Sequence, residues 1–162
     1  AAKIIGIRET FFSGMPDNRF DSIGILDVVK EVEKYTAAIK PDIVYTHHYG
    51  DLNIDHKITY RAVLTALRPL PECCAKEIYC FETPSSTEWN FKYGDCAFQP
   101  NVFIDIEAYL ETKIKAMQCY ITELREFPHP RSISFLKINA ARWGAVAGRK
   151  AAEAFSLVRK VI

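Results

Sequence analysis

At 162 residues, 49% hydrophobic and 25% charged, the chain has the composition of one folded domain with its own core, which excludes a disordered or collagen-like polymer. Its 21 basic and 20 acidic residues leave a formal charge of +1, so no global field recruits nucleic acid or an anionic membrane, and a substrate must be recognised locally. Five cysteines without CxxC spacing (Cys73, Cys74, Cys80, Cys96, Cys119) argue against a disulfide framework or a zinc ribbon. No signal peptide or apolar run near membrane-spanning length is present, and the expected location is cytoplasmic with reduced thiols.

In chain order, Ala1 to Ile7 opens without an initiator Met or a helix cap, as though a helix were joined near its end. Glu9 to Ser13 reads as a strand, and Gly14 to Phe20 has the Gly, Pro and Asp-Asn content of a loop. A helix follows, capped by Asp21 or Ser22, with Ile25, Val29, Val32, Tyr35 and Ile39 as its apolar stripe up to Pro41. Ile43 to Thr46 is a strand, and Asp55 to Leu67 a helix closed by Pro69 and Pro71. Lys76 to Glu82 is the next strand. Thr83 to Pro100, with Trp89, Phe91 and Gly94, is a long loop whose aromatics either stack on a ligand ring or plug the core. Val102 to Ile106 is a strand, and Leu110, Ile114, Met117, Ile121 and Leu124 mark a helix. After the Pro128-His129-Pro130 break, Ser132 caps a final helical region reaching Val158, bent or interrupted near Gly144 and Gly148. The β-α-β-α-β order points to an α/β domain with a mostly parallel sheet and right-handed crossovers.

Thr46-His47-His48-Tyr49-Gly50-Asp51-Leu52-Asn53-Ile54-Asp55-His56 places three of the four histidines at the exit of one strand, where open α/β sheets bind ligands. The donor types suit zinc, which takes about three protein ligands and lowers the pKa of a bound water. His47 and His48 are adjacent, however, so an extended backbone sends them to opposite sides. Asp55 and His56 face the same difficulty at a helix start, where Asp55 also suits an N-cap. A solvated loop with capping aspartates and packed histidines is the alternative on spacing alone.

The sequence Pro41-Asp42-Ile43-Val44-Tyr45-Thr46-His47-His48, then Asp51, then Asp55-His56, with Ala62-Val63 further on, resembles the second block of the PIG-L/LmbE-like zinc deacetylases. His129-Pro130-Arg131-Ser132 and Ala151-Ala152-Glu153-Ala154-Phe155 are similar to the closing segments of bacterial members. The resemblance implies a three-layer Rossmann-like fold, hydrolytic removal of an N-acetyl group from N-acetylglucosamine-type sugars, and a zinc ion. It maps His56 to a zinc ligand, Asp55 to the catalytic aspartate before it, and Asn53 to a position where many members carry a catalytic histidine. An Asn there can donate a hydrogen bond to an oxyanion but carries no charge. The family's A-H-P-D-D-E block, with the other ligands and the general base, is absent. It is expected upstream of Ala1, so residues 1–162 read as one N-terminally truncated domain, the C-terminal two-thirds of such a deacetylase.

Arg19, Asp51 and His129 are the candidate substrate contacts, and His47 is expected to support the aspartates from behind. For Arg19 the plain alternative is pairing with Asp17 or Asp21, and for His129 an exposed turn. The enzyme expected is a zinc N-deacetylase that this chain alone leaves incomplete. Its partners are an N-acetylated sugar and, because a missing strand exposes a sheet edge, a second copy of the chain. The rival is a non-catalytic α/β binding or assembly module that has lost the first block or borrows it from a partner.

Overall fold

The computed structural model of the protein describes residues 1–70, 75–91 and 96–162. Pro71, Cys73, Cys74 and Gly94, invoked above, lie outside the described residues. The chain folds as two compact units, one of Ser13–Asn101 with Phe155–Ile162, the other of Ala1–Phe12 with Val102–Ala154.

The first of these holds helices α2 (Ile25–Ile39) and α3 (Ile54–Ala66), strands β1 (Ile43–His47) and β2 (Glu77–Phe81), and the last part of β4 (Ala152–Lys160). β1 runs parallel to β2 with Thr46 opposite Cys80, and β4 comes in antiparallel with Ser156 opposite Cys80 and Phe155 opposite Phe81. The α/β class expected from the sequence is the one observed. Val28 and Val29 of α2 meet Ala62 of α3, and Val63 of α3 and its C-cap Leu67 cover Ile78 together with Ala75. Burying one such aliphatic side chain contributes about 1.5–3 kcal/mol. The alternate residues of the strands face the other way, where Tyr45 stacks on Tyr79 at 5.4 Å and meets Phe155 at 5.1 Å. Side-chain alternation along β1 produces this division.

Helix α2 ends as the sequence requires, with Lys40 left-handed (φ 51°) just before Pro41. Its start differs from expectation. Phe20–Ser22 forms a 3-10 turn in which the Ser22 hydroxyl donates to the Arg19 carbonyl, so Gly24 occupies the cap position instead.

The other unit contains α1 (Ala2–Ile5), β3 (Val102–Asp105), a 3-10 turn (Glu107–Tyr109), α4 (Leu110–Gln118), α5 (Ile133–Ala147) and the start of β4, which neighbours β3. Ile106, Ala140 and Ala151 form its core with Leu110 against them. Glu9 to Ser13, expected as a strand, is irregular backbone outside the sheet. Helix α4 stops at Gln118, where expectation carried it to Leu124, and residues 120–123 turn instead. The largest correction concerns the C-terminal region. The helix ends at Gly148 (φ 67°), and Ala152–Lys160 is a strand. Alanine-rich sequence favours helix locally, but pairing with β2 and the alternation of buried Ala152 and Ala154 around Glu153 override it. Gly144 permits the reversal, because a Cβ there would lie 2.7 Å from the Arg149 carbonyl oxygen and 2.8 Å from the Ala151 nitrogen. No helix among the described residues is long and apolar enough to cross a membrane.

Candidate functional site

The loop from His48 to Asn53 leaves the carboxyl end of β1 and enters α3, and its hub is Asp51. This carboxylate is fully buried, at 0% exposure. Its Oδ2 accepts the Thr87 hydroxyl at 2.8 Å, while Oδ1 accepts the Ser86 hydroxyl and the Asn53 N–H at 2.9 Å. His56 Nδ1 lies 3.0 Å from the same Oδ1. The approach is within hydrogen-bond distance but bent, so charge contributes to this contact as well as the hydrogen bond. Burial pushes the Asp51 carboxyl up, but hydrogen bonds from His56, Ser86, Asn53 and Thr87 outweigh it and hold it down at about 2.

His47 stacks on His56 with ring centroids 4.0 Å apart and planes within 15°, and it leans on Phe81. Burial, then the neighbouring His56, lower its pKa to about 4 against the opposing pull of Asp51, which keeps the ring neutral. Its Nδ1 is buried and finds no hydrogen-bond partner among the described residues. His48 turns away from both, as alternation requires. It is 1% exposed, set edge-on to Phe98, with Nδ1 accepting the Gly50 N–H at 3.1 Å. Gly50 is required here: a Cβ would sit 2.1 Å from the Cys96 carbonyl oxygen.

Asn53 is the N-cap of α3, with its side-chain oxygen accepting from the Asp55 and His56 amides at 2.8 and 3.4 Å. Its side-chain nitrogen donates to Asn18 Oδ1 at 3.1 Å, so the amide expected to face an oxyanion is engaged at both ends. Asp55, nearly buried, accepts the Phe20 N–H at 2.9 Å and so ties the 13–20 loop to α3. Arg19, beside that tie, is exposed and forms no ion pair with Asp17 or Asp21. His129 belongs to the other unit, where its Nδ1 accepts the Arg131 N–H at 3.0 Å in a local turn. Trp89 and Phe91 are 40% and 84% exposed. Ser86 and Thr87, which sequence reasoning passed over, are buried, and their only sequence signal is a Ser-Ser-Thr run that begins four residues after the end of β2.

A zinc site needs donors that converge on one point about 2.1 Å away. Lone pairs lie in the ring planes, and two imidazoles stacked as closely as His47 and His56 aim past each other. Asp51 is fully buried and both its oxygens already accept hydrogen bonds. Among the described residues no group of three His, Cys, Asp or Glu could hold a metal ion. The residues gathered here therefore do not by themselves fit a zinc site: His56 offers one nitrogen, Nε2, with a carboxylate behind it.

Residues 1–67 match the PIG-L family, described as GlcNAc-PI de-N-acetylase. An uncharacterised deacetylase of Escherichia coli, YaiS, is 30% identical over 125 residues, covering 73% of this chain and 60% of its own length. Three solved structures share the fold. The conserved protein TT1542 of Thermus thermophilus superposes with a TM-score of 0.77 at 18% identity, covering 99% of this chain and 70% of that one. GalB, a 4-carboxy-2-hydroxymuconate hydratase from Pseudomonas putida KT2440, gives 0.71 at 19%, covering 99% and 69%. The N,N'-diacetylchitobiose deacetylase of Pyrococcus horikoshii gives 0.72 at 17%, covering 98% and 60%. The chain thus spans 60% of the length of the curated relative.

Proposed function

The chain belongs to the PIG-L/LmbE-like deacetylase family, and on that premise we propose that the protein is an amide hydrolase that removes an acetyl group from an N-acetylated sugar or a related small amide. The observation that carries this reading is His56, set at the start of α3 beside a buried carboxylate on a loop at the carboxyl end of a parallel strand. That is where open α/β folds bind ligands, and where a chemical group benefits from rigid support. Fold alone does not choose the reaction, since GalB is a hydratase on the same architecture.

Zinc stays part of the proposal through His56, whose Nε2 is its available donor, with the remaining ligands supplied by a block of the A-H-P-D-D-E kind that these residues do not contain. When bound, the ion would polarise the amide and activate water. The chain's own contribution is to hold: Asn53 fixes the start of α3, and Asp55 fixes the 13–20 loop that presents Arg19 to solvent as a substrate contact. A homo-oligomer is also proposed, supported by the position of β1 at the sheet edge with Ile43 and Tyr45 half-exposed.

The test is acetate release from N-acetylglucosamine and its conjugates, with zinc supplied, by the protein joined to a segment that carries such a block and by His56→Ala in the same setting. Loss of nearly all turnover in the variant is expected, because one ligand of about three is gone. Turnover that survives the substitution undiminished would overturn the assignment. A second reading, a non-catalytic module or one completed by a partner chain, is favoured by the lack of a three-donor group among the described residues. It predicts no acetate release from any of these sugars.

A further inference from the structure

We propose that the Thr83–Thr87 turn is a positioning element for His56, acting through Asp51, with Thr87 and Ser86 as the positioning residues. The inference deepens the reading above, since it concerns how its principal residue is held. Thr87 is 1% exposed, and its hydroxyl accepts the Thr83 N–H at 2.6 Å. A hydroxyl has a single proton, and with one lone pair committed to Thr83 that proton is directed to Asp51 Oδ2 at 2.8 Å. Ser86 engages the other carboxylate oxygen, and its carbonyl accepts the Leu52 N–H at 3.2 Å, which joins the two loops by backbone as well. Rotation of the carboxylate would break several of these bonds at once inside a buried volume, so Asp51 has one orientation.

That orientation sets Oδ1 3.0 Å from His56 Nδ1 while His47 covers the ring face. A carboxylate against one ring nitrogen favours the tautomer with the proton on that nitrogen and leaves the other as an acceptor. His56 accordingly carries its proton on Nδ1 and its lone pair on Nε2. His48, in the same loop, is held the opposite way: its Nδ1 accepts the Gly50 N–H, so its proton sits on Nε2. His129 shares the His48 pattern through Arg131. The protein thus contains two internal references for the Nε2–H tautomer, against which His56 is read.

The experiment is two-dimensional proton–nitrogen NMR of the full chain labelled at the histidine ring nitrogens, at a pH high enough to keep the imidazoles neutral. The wild type should show His56 as the Nδ1–H tautomer, opposite to His48 and His129. Thr87→Val, nearly isosteric but without the hydroxyl, should shift the His56 tautomer ratio about tenfold toward Nε2–H, the size of one lost hydrogen bond. Ser86→Ala should shift it in the same direction, Thr87→Ser should restore it, and His48 should not move in any of them. His56 found as Nε2–H in the wild type overturns the proposal, as does a ratio unmoved by both variants. Collapse of the His48 signature along with His56 in both variants also overturns it, by showing that the turn holds the whole loop and not His56 in particular. No acetylated substrate enters the measurement, so the tautomer result and the deacetylase result can fail independently.

Discussion

In the loop between β1 and α3, Asp51 is held by Ser86 and Thr87, Asn53 by Asn18 and Asp55 by the Phe20 amide, every partner lying 35 or 36 residues away. In the loop before α5, His129 accepts from Arg131, Arg131 pairs with Glu123 eight residues back, and the Ser132 hydroxyl accepts from the Phe135 amide. Both loops present a histidine beside prolines or acids, and both precede a capped helix. The first is clamped by segments distant in sequence, which fixes a side chain in space; the hydrogen bonds just named in the second span eight residues or fewer. Position relative to the rest of the protein is what a site needs, so the first loop has the rigidity that chemistry demands.

The sharpest way to break this comparison is to remove the hub. Asp51→Ala leaves several buried donors and the partly buried His56 imidazole without their carboxylate and should destabilise the protein by roughly 3 kcal/mol or more. His129→Ala should change stability by less than about 0.5 kcal/mol. Urea unfolding of both variants is the measurement, and equal losses would end the distinction. Next in size is Gly50→Ala, which drives a methyl into the Cys96 carbonyl and should lower stability by about 1–3 kcal/mol. Gly148→Ala meets open space and suffers only the positive φ, about 1 kcal/mol. Thermal unfolding should rank them in that order.

Asn53→Ala tests whether the cap or the catalytic role dominates at that position. As a cap its loss should lower stability by about 1 kcal/mol, with Asn53→Asp largely neutral, much as Ser132→Ala should behave at α5. If Asn53→Ala instead leaves the unfolding midpoint in place and slows turnover, the side chain serves the reaction first. The smallest effect is chemical: burial raises the Cys80 thiol to about 12, so iodoacetamide at mildly alkaline pH should label exposed Cys96 and Cys119 and spare Cys80. Peptide mapping by mass spectrometry reads the difference.

How far the sequence reveals these two loops follows from where their partners lie. The β1–loop–α3 unit is legible because a short hydrophobic run, a polar cluster and an apolar stripe succeed one another without interruption, and the opposite facing of His47 and His48 follows from strand alternation alone. The burial of Asp51 is not legible: Ser86 and Thr87 look like loop residues, and nothing local tells that their hydroxyls return to a carboxylate 35 and 36 positions earlier. The same holds for β4, where Ala151 to Phe155 reads as helix until β2 is there to pair with it. Asn53 is ambiguous in the sequence for a different reason. An amide at the start of a helix suits both an oxyanion and a cap, and only the geometry of the Asp55 and His56 amides separates them.

The pairing of β2 with β4 has a consequence for the order of events during synthesis. Phe81 pairs with Phe155, yet the residues between them include all of β3, α4 and α5. On a ribosome, β2 emerges and can dock on β1 and α3 long before its second neighbour has been made. During that interval one edge of the strand is an open template, and contacts between distant parts of a chain form slowly. Until β4 is made, that edge of β2 is without its native strand partner, and the need for a holding chaperone should peak in the stretch of translation that ends when Ala152 to Lys160 leave the exit tunnel.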